Sequence, residues 1–175
     1  MENFFIGMLF IFLNFNFTVS NHVIGLIPTF VGYIFVKRGI SEFEGSVPVF
    51  SKIYPFVKVM IAVSIVVYIM DFLAINIGAM YFIVSIVMLA ANIYTSFNIT
   101  EGVLYLEQTK NVDLLGSNLR RMWKISIIAL CASTVTVFIP FLNIIAVFAS
   151  IVCNILFLIA FNKTKNAAAD HYLYG

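Results

Sequence analysis

Charge is scarce in this 175-residue chain: Asp, Glu, Lys and Arg together make up 10% of it, against about a quarter of a soluble domain. With 62% hydrophobic residues, 19 phenylalanines and a mean hydropathy of +1.05, the chain cannot hide its apolar surface in water. It belongs in a bilayer. The two cysteines, Cys131 and Cys153, both lie in apolar runs, which excludes a disulfide framework and a paired-cysteine metal site. No His-x-x-x-His pair, no Gly-rich phosphate loop and no Ser-His-acid set can be assembled. We therefore expect no catalytic residues, no metal, no cofactor and no enzyme. The net charge of +2 is small and evenly shared, so no nucleic-acid partner is expected. The opening stretch "MENFFIGMLFIFLNF" lacks a basic n-region and a small-residue cleavage site, and it reads as a retained helix.

What is present is a series of apolar runs, at 3–20, 22–36, 56–75, 79–97, 122–139 and 141–162. A span needs about 20 residues, and the last four runs qualify well. The first two are short and are parted by "SNH" at 20–22. They form either a tight pair of spans or a re-entrant pair that dips in and returns. A single helix over 3–36 would be about 50 Å long at 1.5 Å per residue, and it would set Asn14, Asn16, Asn21 and His22 in mid-helix.

The basic residues fall in three groups: Lys37, Arg38, Lys52 and Lys58; Lys110, Arg120, Arg121 and Lys124; Lys163 and Lys165. The connections "TVSNH", "INIG" and "PFLN" hold none. Because cytoplasmic loops collect Lys and Arg, the charged loops and both termini should face the cytoplasm. The sequence thus predicts an all-α, polytopic integral membrane helical bundle of six transmembrane segments. It would form a single domain over 1–165, followed by a cytoplasmic tail at 166–175. A re-entrant first pair has the same sidedness.

Two inner segments are alike. "KRGISEFE" (37–44) and "ITEGVLYLE" (99–107) share a Gly, a β-branched residue, a bulky apolar residue and a Glu, and each leads on to a Lys, Lys58 or Lys124. An ancestral helix-hairpin duplication and a chance likeness account for this equally well. Gly39 and Gly102 are natural helix-ending residues, and the mixed residues after them suit a short interfacial helix.

The stretch "GLIPTFVGYIFVKRGISEF" (25–43) resembles a pattern in an uncharacterised family of small multi-spanning membrane proteins of low-GC Gram-positive bacteria. Their second segment reads Leu-x-Pro-Asp-Phe-x-Gly-Tyr and is followed by a basic turn. The stretch "ITEGVLYLEQTKNVDLLGSNLRRMWKI" (99–125) is similar to their inner loop. The matching residues are Leu26, Pro28, Phe30, Gly32, Tyr33, Gly39, Gly102 and Glu107, while Thr29 stands where the pattern has an acid. The resemblance covers about a quarter of the chain by strict matching. It implies the multi-span architecture and a bacterial cytoplasmic membrane, and it carries no activity.

In "YIMDFLAI" (68–75) an aspartate stands among apolar residues. Counting from Lys58 places Asp71 about 20 Å up the helix, in the outer part of a core about 30 Å thick. A carboxylate there costs about 2.5–3.5 kcal/mol, so it must face the bundle interior, be protonated or find a partner. The expected topology brings Asn14, Asn16, Asn21, His22 and Asn76 to the same side. Two readings of Asp71 stand level. It is the acid of an outward polar pocket lined by His22 and the asparagines, or it accepts hydrogen bonds from an Asn or from Tyr68 and ties helices together. Asn92 and Asn154, with Ser133, Thr134 and Thr136, read as interhelical hydrogen bonds, and Pro28 permits a kink or a broken helix. The tail "AAADHYLYG" reads as a frayed, solvated end.

The function expected is a non-enzymatic binding or accessory subunit. It would use the outer pocket, and it would dock a membrane or cytosolic partner through Gly39, Glu44, Gly102, Glu107, Arg120 and Arg121. The alternative is an autonomous small transporter or channel. Membrane lipid is a partner in either case, and a homo-oligomer is compatible with both.

Overall fold

The computed structural model describes residues 1–13, 16–19, 22–25, 28–43, 45–73 and 80–174; at 16–19, 22–25, 80–81 and 172–174 it gives the backbone alone. The fold is helical. Among the described residues six helices run in the order α1 Glu2–Phe12, α2 Thr29–Glu42, α3 Pro48–Phe72, α4 Met80–Lys110, α5 Gly116–Val135 and α6 Pro140–Tyr174, with a 3₁₀ turn at Thr136–Phe138. Between α1 and α2 lies a small antiparallel pair, β1 Asn16–Val19 and β2 His22–Gly25, in which Asn16 faces Gly25 and Val19 faces His22.

Four of the helices, α3 to α6, are long and apolar enough to cross a membrane. At 11 and 14 residues, α1 and α2 are not; they reach about 16 and 21 Å, short of a hydrocarbon core of about 30 Å. Among the described residues there are thus four helices of spanning length and a short helical hairpin, the form that the short first two runs allowed as the alternative to a full pair of spans. Three of the four prolines stand at helix starts: Pro28 is the N-cap of α2, Pro48 opens α3 and Pro140 opens α6. Their fixed φ and missing N–H suit that position, so Pro28 begins a helix rather than kinking one. Pro55 lies inside α3 and removes the hydrogen bond its N–H would give to the carbonyl of Ser51.

Gly39 and Gly102 do not end helices; both lie inside them. α4 ends instead on Asn111, a non-glycine residue at φ 52°, and the Val112 N–H reaches the Glu107 carbonyl at 3.2 Å. This is the wrapped C-terminus that a left-handed residue permits, and Asn is the non-glycine best suited to it. Residues 99–110, expected as part of a loop with an interfacial helix, continue α4 without a break. α2 stops at Phe43, followed by Gly45 at φ 81°. The two similar segments thus end differently.

The chain separates into two compact units, Glu2–Ile99 and Thr100–Gly175, and α4 contributes to both. In the first unit α1 and α2 are antiparallel: Phe4 meets Gly39, Gly7 meets Val36 and Ile11 meets Gly32. Phe4, Phe43 and Phe50 close one end of this unit, with ring centroids 4.9 Å apart for Phe4–Phe50, 5.9 Å for Phe4–Phe43 and 6.0 Å for Phe43–Phe50. Phe56 of α3 meets Tyr94 of α4 edge-on at 4.8 Å. The buried Tyr33 donates its hydroxyl to Asn92 Oδ1 at 2.7 Å, joining α2 to α4.

In the second unit α5 packs on α6, and Ser126 donates to Asn154 Oδ1 at 2.5 Å. The interhelical roles expected of Asn92 and Asn154 are therefore present. The hydroxyls of Ser133, Thr134 and Thr136 behave differently: they bond back to carbonyls of the preceding turn of α5, Leu130 for the first two and Ala132 for Thr136. A short hydroxyl side chain reaches the preceding turn more easily than a neighbouring helix. Across the turn, Asn143 Nδ2 reaches the Ser133 carbonyl at 2.8 Å. With those polar groups engaged, the turn presents apolar side chains outward, Phe138 81% exposed and Phe141 78% exposed. α6 continues as a helix to Tyr174, through the stretch expected as a frayed tail.

Candidate functional site

Asp71 lies in the last turn of α3, which ends at Phe72. It is half-buried, and among the described residues its carboxylate has no hydrogen-bond or ion-pair partner. Tyr68, one turn earlier, instead packs edge-on against Phe30 at 5.6 Å. That contact sets the start of α2 beside the end of α3, and β2 also touches α3. The backbone thus carries Asn16, His22 and Asp71 to one end of the first unit. Asn14, Asn21 and Asn76 lie outside the described residues, as do the side chains of Asn16 and His22. The partial negative charge at the C-terminus of α3 adds to the cost of a carboxylate in an apolar helix.

The residues expected to dock a partner have more specific positions. Gly39 is buried against Phe4, where a Cβ would come within 2.8 Å of the ring. Gly102 is buried within α4, and Glu44 lies outside the described residues. Glu107 Oε2 accepts the backbone N–H of Gly116, the first residue of α5, at 3.0 Å. A Cβ at Gly116 would stand 2.2 Å from that same oxygen. Only glycine admits the carboxylate so close to the start of the helix, where a negative charge and an acceptor are both favourable. Leu115, just before, is held at φ 59° with its N–H on Asp113 Oδ1 at 2.9 Å. Glu101 Oε1 lies 3.0 Å from Arg120 Nη2, an ion pair without the alignment of a hydrogen bond. Arg121 is exposed. Glu107, Gly116, Glu101 and Arg120 therefore fix how α4 turns into α5, and of the expected docking residues that are described Arg120 and Arg121 are both exposed, Arg120 while paired with Glu101.

Removing the Glu107 carboxylate should cost about 1 kcal/mol, the usual worth of an N-terminal cap, while Glu107→Gln should keep part of it. Thermal melting of the solubilised protein, with hydrogen exchange of residues 111–118, reads this directly. A Glu107→Ala variant with unchanged melting and exchange would remove the capping role.

Sequence reasoning passed over a cleft of about 690 Å³ lined by Asn3 of α1, by Ile34, Lys37, Arg38, Ser41 and Glu42 of α2, and by Tyr54 of α3. Its signal was the spacing along α2, which puts these five residues on one stripe. Among the described residues no three of His, Cys, Asp and Glu lie close enough together to hold a metal ion. No protein-family model matches this chain, and neither the curated proteins nor the solved structures contain a match.

Proposed function

We propose that this chain is a non-catalytic binding or accessory subunit of a bacterial cytoplasmic membrane, with both termini cytoplasmic. It captures a small or lipidic ligand at the end that carries Asp71, and it meets a protein partner at its charged inner end. The observation that carries the reading is the Asp71 carboxylate, set in the last turn of an apolar helix with no partner among the described residues. At the centre of a spanning helix an acid costs about 2.5–3.5 kcal/mol; in the last turn the cost is smaller, and a ligand or a proton relieves it. Four helices of spanning length support the membrane setting. The distribution of Lys and Arg supports the sidedness.

Gentle affinity purification from native membranes, followed by mass spectrometry of the intact complex, tests this. The expected result is a stoichiometric partner or a retained small molecule. Asp71→Asn should melt within a few degrees of the wild type and lose that ligand. If Asp71→Asn retains the ligand in full, the charge is structural and the reading fails. Solute movement by the purified chain alone in liposomes would replace it with the transporter reading.

A further inference from the structure

The cleft at the other end of the first unit has a chemistry of its own. Its α2 wall is the stripe Ile34, Lys37, Arg38, Ser41 and Glu42; Asn3 and Tyr54 close it from α1 and α3. Donors dominate this lining: an ammonium, a guanidinium, two hydroxyls and an amide. Its one acid, Glu42, accepts a hydrogen bond from the Asn3 amide. Among the described residues neither Lys37 nor Arg38 has a carboxylate partner. Lys58 Nζ stands 4.4 Å over the ring of Tyr54, one of the lining residues. Arg38 is steadied in turn by the face of Phe35, 5.6 Å from its guanidinium carbon.

We propose that this cleft binds a phosphate group, presented either by the headgroup of an acidic phospholipid or by a free phosphate. The forked donors of Arg38 match two phosphate oxygens, and Lys37 adds a point charge beside them. Ser41 and Tyr54 supply hydroxyls to the remaining oxygens. The cleft is large enough for a glycerophosphate headgroup, since small-ligand sites range over about 300–1,000 Å³. Its position favours the lipid as the source. By the charge distribution this end of α2 and α3 meets the cytoplasmic leaflet, where basic pockets between helices collect anionic headgroups. Ile34, at the apolar end of the stripe, continues the cleft toward the acyl chains. The assignment rests on this sidedness and is independent of Asp71.

Native mass spectrometry of the full-length protein tests it, with phosphatidylglycerol, phosphatidylcholine and inorganic phosphate as probes. The wild type should hold phosphatidylglycerol in preference to phosphatidylcholine. The double variant Lys37→Gln/Arg38→Gln should weaken that binding about tenfold or more, since each basic group near an anionic surface is worth about 1 kcal/mol. The charge-matched control Lys110→Gln/Arg121→Gln should leave it unchanged. Inorganic phosphate that binds the wild type and not the double variant, with no preference between the lipids, would assign the site to the free anion. An equal loss in both double variants, or binding of neither lipid nor phosphate, would overturn the proposal. A measurement that needs no variant guards against misfolding: photoactivatable phosphatidylglycerol should crosslink to the peptide 34–42 of the wild type, and crosslinks confined to other segments would overturn the lipid assignment.

Discussion

Replacing Gly32 by valine should separate α1 from α2 and destabilise the protein by about 3 kcal/mol, the upper part of the range for overpacking. A Cβ on Gly32 would lie 2.9 Å from the Gly7 carbonyl oxygen and 2.8 Å from Ile11 Cγ1, and a Cβ on Gly7 would lie 2.9 Å from the Gly32 carbonyl. A side chain such as Ile11 can turn away, but a helical carbonyl cannot without moving its helix. The two backbones meet at these glycines. Lipid tails are as apolar as leucine, so helices in a bilayer are held by such close contact rather than by exclusion of water. Alanine is the graded test. It gains about 1 kcal/mol of helix propensity over glycine, which offsets part of the clash, so Gly32→Ala should lose about 1 kcal/mol net. Gly45→Ala is the comparison: nothing lies within 4 Å of its Cβ position and φ is 81°, so its cost is purely backbone. Melting of each variant in detergent should rank Gly32→Val far below Gly32→Ala. If Gly32→Val melts with the wild type, the glycine contact does not hold the hairpin.

Phe50→Ala should be comparably severe. The Phe50 side chain is fully buried, and its ring packs against those of Phe4 and Phe43, at 4.9 and 6.0 Å. It therefore ties the starts of α1 and α3 to the end of α2. Truncating a buried phenylalanine in a soluble core costs about 3–5 kcal/mol. Where lipid replaces water the transfer part shrinks, whereas the cavity and the lost ring contacts remain. We expect about 3 kcal/mol, and we expect Phe50→Leu to recover more than half of it. Phe138→Ala is the control, since that ring is 81% exposed and its removal leaves no cavity. Equal melting of the Phe50→Ala and Phe138→Ala variants would show that the three-ring cluster contributes nothing.

The contrast between Phe50 and Phe138 marks how far the sequence can be read. Both are phenylalanines in apolar stretches, and nothing local separates them. Composition and run length suffice for the membrane class and for the approximate positions of α3 to α6, because a bilayer demands long uncharged helices and each run carries that signal by itself. The amide pairs are legible too: Asn92 and Asn154 stand out as polar groups that an apolar segment must satisfy, and both do bond across helices. Asp71 is conspicuous for the same reason.

The tertiary structure decided the matters that depend on two segments meeting. The first two apolar runs are short and read either as a tight pair of spans or as a re-entrant pair; their helices stop at Phe12 and start at Thr29, with paired strands between them. Gly39 has the local look of a helix terminator, yet the Phe4 ring that lies against it explains its lack of a side chain. Glu107 looks like a docking acid until the N–H of Gly116 is brought to it. Lys37 and Arg38 count only as topology signals along the chain; they become the wall of a cleft when Asn3 and Tyr54 arrive from α1 and α3. A sequence states what each residue would cost to bury. Which partner meets that cost is fixed by packing between segments far apart in the chain, and single-segment patterns carry no record of it.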